Sequence, residues 1–263
     1  MTSADRPLVG RPRPDTWHPR LYGAELFGTA ALVTGGVSVV ILMFGRGSAS
    51  SVLLPSEGAR RFLTGLLFGI VGALITVSPL GRISGAHLNP AITIAFHMEG
   101  KLTRRDALGY VCAQLLGGLL SILPLRAWGE VGLSIHYGAT LPRAGDAFWI
   151  PLLGEVCVTF ALVTLIFVMT CNRRLRRFTP WSIAALFGVM VWLEAPLSGT
   201  STNPARSLGP AVLSGDVSHL WIYLLGPIMG SILAVRFVHL DLVGHHHPPC
   251  ARLAHFRQEE RSP

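Results

Sequence analysis

Six stretches of this chain contain no Asp, Glu, Lys or Arg: Leu26 to Phe44, Phe62 to Gly81, Ala107 to Leu125, Val156 to Asn172, Phe178 to Leu193 and Val217 to Val235. Each is close to the ~20 residues that carry a helix across a bilayer, the fifth being the shortest. Lipid offers the backbone no hydrogen-bond partner, so only helices and closed barrels can span it, and runs of this length choose helices. With 50% of its residues hydrophobic and only 14% charged, the chain is too apolar for an ordinary soluble domain. The expected fold class is an all-α membrane protein with six transmembrane helices.

The net charge of +8 invites a nucleic-acid reading, which the placement of the charges removes. With both termini inside, the cytoplasmic segments hold Arg6, Arg11, Arg13, Arg20, Arg82, Lys101, Arg104, Arg105, Arg173, Arg174, Arg176, Arg177, Arg236, Arg252, Arg257 and Arg261. The outer segments hold Arg46, Arg60, Arg61, Arg126 and Arg143, and Arg206 stands apart. This is the positive-inside asymmetry, and it predicts a multi-pass protein of the cell membrane with both termini cytoplasmic and no nucleic-acid partner. The first 20 residues lack the apolar core of a cleavable signal, so the first span serves as insertion signal. Arginine outnumbers lysine 21 to 1, pointing to a GC-rich bacterial source.

Cys112, Cys157, Cys171 and Cys250 show no paired spacing, so neither a disulfide framework nor a zinc motif is expected. His245, His246 and His247 with Cys250 could bind a metal, but a solvated tail is the favoured reading because no ligand spacing recurs elsewhere. No cofactor is called for. Paired acid and base groups or a nucleophile at useful spacing are also missing, so no catalytic residue is assigned and an enzyme is not expected.

One pattern occurs twice: Ser84-Gly85-Ala86-His87-Leu88-Asn89-Pro90-Ala91, and Ser198-Gly199-Thr200-Ser201-Thr202-Asn203-Pro204-Ala205-Arg206. Asn favours the N-cap and Pro the first helical position, so each copy reads as a loop opening into a helix. Pro90 to Met98 would extend only ~13 Å, about half of a ~30 Å hydrocarbon core. The second segment, Pro204 to Leu213, has similar length. Neither can span, and the first is too apolar to lie in water.

Other features recur around the pattern. Glu25 and Thr29 of the first span reappear as Glu155 and Thr159 of the fourth, and Tyr110 of the third as Tyr223 of the sixth. The chain is therefore expected to divide into a cytoplasmic tail (1–20), one membrane domain (21–240) and a second cytoplasmic tail (241–263). Its internal repeats cover about 21–128 and 147–239. Each repeat has three full spans and one half-span. Three is odd, so the second repeat enters from the opposite side, and the repeats are inverted. Two half-helices then meet near the midplane, N-terminus to N-terminus, with non-helical backbone lining a watery path.

Such a meeting point has positive potential, each helix end counting as roughly half an elementary charge. Asn89 and Asn203 would donate to a passing oxygen, and the carbonyls of Gly85, Ala86, His87, Leu88, Gly199, Ser201 and Thr202 would line the approach. Neutral hydroxylated molecules pass such a path while protons and cations are excluded. Arg206 sits against its helix dipole at a cost of about 0.3–1 kcal/mol, and the equivalent position in the first repeat is Ile92, so its presence implies a task. Glu25 and Glu155 could relay protons in an ion-coupled transporter; acceptance from orphan N–H groups of the loops is the favoured reading.

In these two motifs, and across about residues 21 to 240, the chain resembles the aquaporins and aquaglyceroporins, the major intrinsic protein family. The resemblance implies six helices and two half-helices, one pore per chain, a homotetramer, and an arginine-containing filter outside the asparagines. Carried over by position, the filter would comprise Arg206, Thr200, Val191 and either Phe68 or Gly69. Water-selective members commonly carry His where Val191 stands, and some carry Cys where Thr200 stands. Val191 thus implies passage of glycerol-like solutes as well as water, with strict water selectivity as the alternative. Ser207, Ala211 and Tyr223 resemble the water channels and Leu224 the glycerol channels. Glu194, one turn beyond Val191, could add charge at the outer mouth; a solvated helix end is the favoured reading.

Overall fold

A computed structural model describes residues 16–240 and Leu253. Six of its helices are long and apolar enough to cross a membrane. In chain order the elements that build the site are α1 (Pro19–Phe44), α2 (Glu57–Val77), α3 (Pro90–Met98), α4 (Arg104–Leu120), α5 (Trp149–Cys171), α6 (Thr179–Ser198), α7 (Pro204–Ser214) and α8 (Leu220–His239). Helices α3 and α7, of 9 and 11 residues, are the two half-helices. Six crossings return the chain to the face on which it began.

Local chemistry sets the ends. Ser56 caps α2 and Thr103 caps α4, each accepting from a backbone N–H of the first turn. Gly199 and Gly215 end α6 and α7 with φ of 86° and 80°, the left-handed conformation that glycine adopts without penalty. Two expected boundaries shift. The sixth helix starts at Leu220 rather than Val217, because Asp216 accepts from the Ser218 hydroxyl at 2.7 Å and holds a turn there. The third apolar stretch, Ala107 to Leu125, is not one helix: α4 stops at Leu120, and a further turn, Ile122–Leu125, precedes a 3₁₀ segment.

Between α2 and the first loop lies an extra turn, Pro79–Ser84. Ser78 ends α2 and caps this turn, its hydroxyl accepting from the Leu80 N–H. Phe68 lies beside Arg206, its ring centroid 5.8 Å from the guanidinium carbon, and Gly69 packs against Ala184 of α6.

Close packing follows small residues, as expected where lipid supplies no hydrophobic drive between helices. A Cβ on Gly69 would strike the Ala184 backbone, and one on Gly65 the Phe187 carbonyl, so α2 and α6 approach backbone to backbone. The repeat governs the other contacts. Gly117 of α4 lies under the Leu26 carbonyl beside Thr29, and Gly230 of α8 lies under the Val156 carbonyl beside Thr159. The recurring threonines thus pack against recurring glycines.

The outer surface is apolar, with Phe27, Leu74, Leu116, Leu193 and Leu225 exposed. Trp17 and Trp181 lie towards one end of the bundle and Trp149 and Trp221 towards the other, exposed in the two bands where an amphipathic ring meets lipid headgroups.

Candidate functional site

The two loops share one unusual backbone. Gly85, Ala86 and Leu88 have φ of 94°, 57° and 53°; their counterparts Gly199, Thr200 and Thr202 have 86°, 53° and 54°. Positive φ at a residue with a side chain costs about 1–3 kcal/mol and persists only where the surroundings enforce it. Here they do. Ser84 Oγ accepts from Ala86 N–H and Ser198 Oγ from Thr200 N–H, both at 3.1 Å. The Tyr110 hydroxyl donates to the Ser84 carbonyl at 2.6 Å, and the Tyr223 hydroxyl to the Ser198 carbonyl at 2.7 Å.

Fully buried carboxylates complete each clamp. Glu25 accepts from the His87 and Leu88 N–H groups at 3.0 and 2.7 Å, and from Gln114 Nε2 at 2.7 Å. Glu155 accepts from the Ser201 and Thr202 N–H groups at 2.7 and 2.8 Å, and from the Ser198 hydroxyl at 2.7 Å. In α8 Pro227 stands where the repeat has Gln114 in α4, and the Ser198 hydroxyl supplies the third donor instead. A buried carboxylate is tolerable only with such a set of donors.

Asn89 and Asn203 cap their half-helices: Asn89 Oδ1 accepts from Ala91 N–H at 2.8 Å, and Asn203 Oδ1 from Ala205 N–H at 3.0 Å. Their amide groups differ from expectation. Asn89 Nδ2 donates to the Thr202 carbonyl at 2.8 Å, and Asn203 Nδ2 donates to the Leu88 carbonyl at 2.9 Å. One N–H of each amide therefore ties the two loops together, and only the second can serve a passing molecule. Likewise Leu88 and Thr202 offer carbonyls already engaged. The His87 ring stacks on Phe96 with centroids 4.7 Å apart, so its packing is aromatic.

Above the asparagines Arg206 is 5% exposed. Its guanidinium NH1 donates to the Gly138 carbonyl at 2.8 Å, and its Cζ lies 5.8 Å from the Phe68 ring centroid. Gly138 belongs to the loop between the repeats, which no motif marks. Phe68 stacks on Phe187 of α6, centroids 5.9 Å apart and planes within 4°. Phe187 lies one turn before Val191 and was not singled out from sequence; its signal is only helical spacing from that position.

Two cavities meet at this level. The larger, about 300 Å³, is lined by Val191, Thr200, Gly199 and Thr64 and opens past Glu57 and Arg61. The smaller, about 70 Å³, runs past Asn89, Asn203, His87 and Thr76 towards the face where α1 begins and α8 ends. Both touch Phe68, Phe187, Ser201 and Arg206. Gly69 lines the smaller cavity from its helix contact rather than facing Arg206.

Glu194 departs most from its sequence reading. It is 7% exposed, and its Oε2 accepts from the Thr200 hydroxyl at 2.5 Å. A solvated helix end it is not. The sequence signal was available: it is the one acidic residue of α6, one turn short of the second loop. Ser207 is fully buried, its hydroxyl bonded to those of Thr140 and Ser201 at 2.7 and 2.6 Å. The histidines 245–247 and Cys250 lie outside the described residues.

A helical path with opposed half-helices sharing cross-bonded asparagines suits conduction, and similarity to known proteins agrees. Residues 16–239 match the family model described as Major intrinsic protein. Aquaporin NIP1-1 of Zea mays is 33% identical over 210 residues, covering 80% of this chain and 70% of its own length. Glycerol uptake facilitator protein-like 6 of Lactiplantibacillus plantarum is 34% identical over 225 residues, covering 82% and 94%. The solved aquaglyceroporin from Plasmodium falciparum superposes with a TM-score of 0.69 at 20% identity, covering 86% of this chain and 98% of its own, a likeness of fold. With that family match spanning all six crossings and relatives above 30% identity across four-fifths of the chain, the protein belongs to the major intrinsic protein family of membrane channels.

Proposed function

We propose that the protein is a passive channel for water and small uncharged solutes of the glycerol class, with ions and protons held back at the paired Asn-Pro-Ala half-helices and at Arg206. The supporting observation is the apolar wall of the wider cavity. Val191 lines it together with Phe68 and Phe187, facing a polar side made by Arg206 and Thr200. A glycerol molecule has the same division, a carbon edge and a hydroxyl edge, so one side of such a constriction can take the CH groups while the other bonds the oxygens. Histidine at position 191 would replace apolar surface with a ring that narrows the opening and bonds water. The likeness to a protein named as a glycerol uptake facilitator points the same way.

The rest of the reading follows the family and the charge asymmetry: a homotetramer with one pore per chain, in the plasma membrane of a bacterium, both termini in the cytoplasm. A passive mechanism is favoured over ion coupling because Glu25 and Glu155 each bond two backbone N–H groups and one side-chain donor, leaving them poorly placed to pick up and release protons.

Stopped-flow light scattering on proteoliposomes tests the proposal. Wild type should pass both water and glycerol without a proton or sodium gradient and without saturation. Val191→His should lower glycerol permeability about tenfold, equivalent to ~1.4 kcal/mol of added barrier, while water permeability changes by less than threefold. Water flux without glycerol flux in the wild type would overturn the glycerol assignment and leave a strictly water-selective channel.

A further inference from the structure

Two adjacent residues of α7 grip the loop between the repeats. Arg206 NH1 donates to the Gly138 carbonyl at 2.8 Å, and the Ser207 hydroxyl bonds the Thr140 hydroxyl at 2.7 Å. Thr140 is buried and lines neither cavity. The loop needs such a hold. His136, Tyr137 and Gly138 have φ of 52°, 50° and 66°, three left-handed residues in succession, a backbone that persists only where its surroundings enforce it. The Gly138 and Ala139 N–H groups donate to Ile135 and His136, inside the loop itself, and so do not fix it against α7.

The hydroxyl protons follow by exclusion. Ser201 donates to the Asn203 carbonyl at 3.0 Å, so towards Ser207, 2.6 Å away, it can only accept. Ser207 therefore spends its proton on Ser201 and must accept from Thr140. The bonds run in one direction, from Thr140 through Ser207 and Ser201 to the backbone of the residue that caps α7. A donor at position 140 is required to start them.

The repeat explains why that donor comes from the loop. Thr93 is the first-repeat counterpart of Ser207, and it accepts from Gln114 Nε2 of α4 at 2.9 Å, a partner within its own repeat. Pro227 stands at the Gln114 position in the second repeat and offers no side-chain donor; Thr140 supplies the bond instead. The repeat that carries Arg206, where the other has Ile92, is thus the repeat tied to the loop.

We propose that Thr140 is a positioning residue for ion exclusion that acts through Arg206. A single hydrogen bond leaves a loop free to swing about it, and a second bond two residues along removes that freedom. The Thr140 hydroxyl fastens the loop to α7 and so fixes where the Gly138 carbonyl holds the guanidinium. Without it the carbonyl drifts, and the guanidinium follows it away from the level where the two cavities meet. The inference rests on the reading of Arg206 as a proton barrier, so its test reads the two separately.

Proton leakage into proteoliposomes is compared for wild type, Thr140→Val, Thr140→Ser and Ser207→Ala, each also combined with Arg206→Val. Valine keeps the size of threonine and loses the donor; serine keeps the donor. Thr140→Val and Ser207→Ala should leak at least threefold faster than wild type, and Thr140→Ser should match it. In the Arg206→Val background none of the three should add to the leakage, because residues that act through a shared partner are not additive. If Arg206→Val leaks while Thr140→Val and Ser207→Ala do not, the inference is overturned. Equal rises in both backgrounds, the mark of a generally loosened fold, also overturn it. A second readout does not depend on the proton barrier: loss of water permeability on treatment with butanedione, a small reagent for free guanidinium groups. The part of that loss which Arg206→Val abolishes should proceed at least threefold faster in Thr140→Val than in wild type, and equal rates would defeat the positioning role. Faster reaction in Thr140→Val, together with an Arg206→Val that leaks no more than wild type, would uphold the positioning role and remove the proton-barrier reading.

Discussion

The Thr200 hydroxyl donates to the buried Glu194 carboxylate at 2.5 Å, so the loop residue nearest the outer constriction is oriented by an acid from the preceding helix. The bond consumes the hydroxyl proton and fixes which way Thr200 turns its lone pairs. Glu194→Gln keeps an acceptor oxygen and should leave water permeability within about twofold. Glu194→Leu removes the acceptor and should cost about 1–3 kcal/mol of stability. Thermal unfolding of the detergent-solubilised protein checks this, with the expected order wild type, Gln, Leu. Leu equal to wild type would mean that the carboxylate does not support the loop.

Much of the site was legible because the repeat is written in side chains whose chemistry is local. Asn-Pro announces a capped helix start, and Glu-x-x-x-Thr in an apolar span announces buried acceptors, so Asn89, Asn203, Glu25 and Glu155 could be placed without coordinates. What the sequence does not carry are contacts made by backbone atoms at long separation. The Gly138 carbonyl that holds Arg206 comes from a loop without a motif, and the Leu88 and Thr202 carbonyls that bind the asparagine amides depend on the two loops meeting. Glu194 was misjudged for another reason: periodicity places a residue on a helix face but does not reveal that a loop will fold back over it. The turn at Pro79–Ser84, which Ser78 caps, is likewise not marked by helical periodicity.

Glu25 and Glu155 give a prediction that separates clamping from proton relay. In either residue a Gln amide must turn its NH2 towards a backbone N–H or another donor, because both oxygens accept now. Glu25→Gln and Glu155→Gln should therefore each lose about 1.5–3 kcal/mol of stability, the range for hydrogen bonds to charged groups. Lower thermal midpoints together with water flux insensitive to a pH gradient are expected. Flux that needs a proton gradient in the wild type and loses that need in either variant would support a relay.

Arg206 makes a different kind of contribution. Its fixed charge lies where the two cavities join, and its NH1 bond to Gly138 keeps it there. A cation entering this narrow site meets that charge with little water to screen it, and the half-helix ends lie just beyond. Arg206→Val should raise proton leakage about tenfold or more, read with a pH-sensitive dye trapped in proteoliposomes, while water flux persists. Arg206→Lys should fall between, because an ammonium keeps the charge but not the planar group. Proton leakage unchanged in Arg206→Val would assign the whole barrier to the half-helices.

Thiol chemistry probes the same constriction from outside. Cys112 and Cys157 are exposed on outward helix surfaces, away from both cavities, and position 200 carries a threonine. Mercury should therefore block the wild type poorly at the outer constriction. Thr200→Cys puts a thiol into the wider cavity beside Arg206, where a bound metal atom leaves little room for a passing molecule. Water flux in Thr200→Cys should drop at least fivefold with mercuric chloride and recover with a reducing thiol. The variant must first conduct, and its unmodified flux should lie within about threefold of wild type, since sulfur is close in size to the hydroxyl and methyl it replaces. Strong block of a wild-type chain from which all four cysteines have been replaced would show that mercury acts elsewhere, whereas a conducting but insensitive Thr200→Cys would place residue 200 outside the narrowest part of the path.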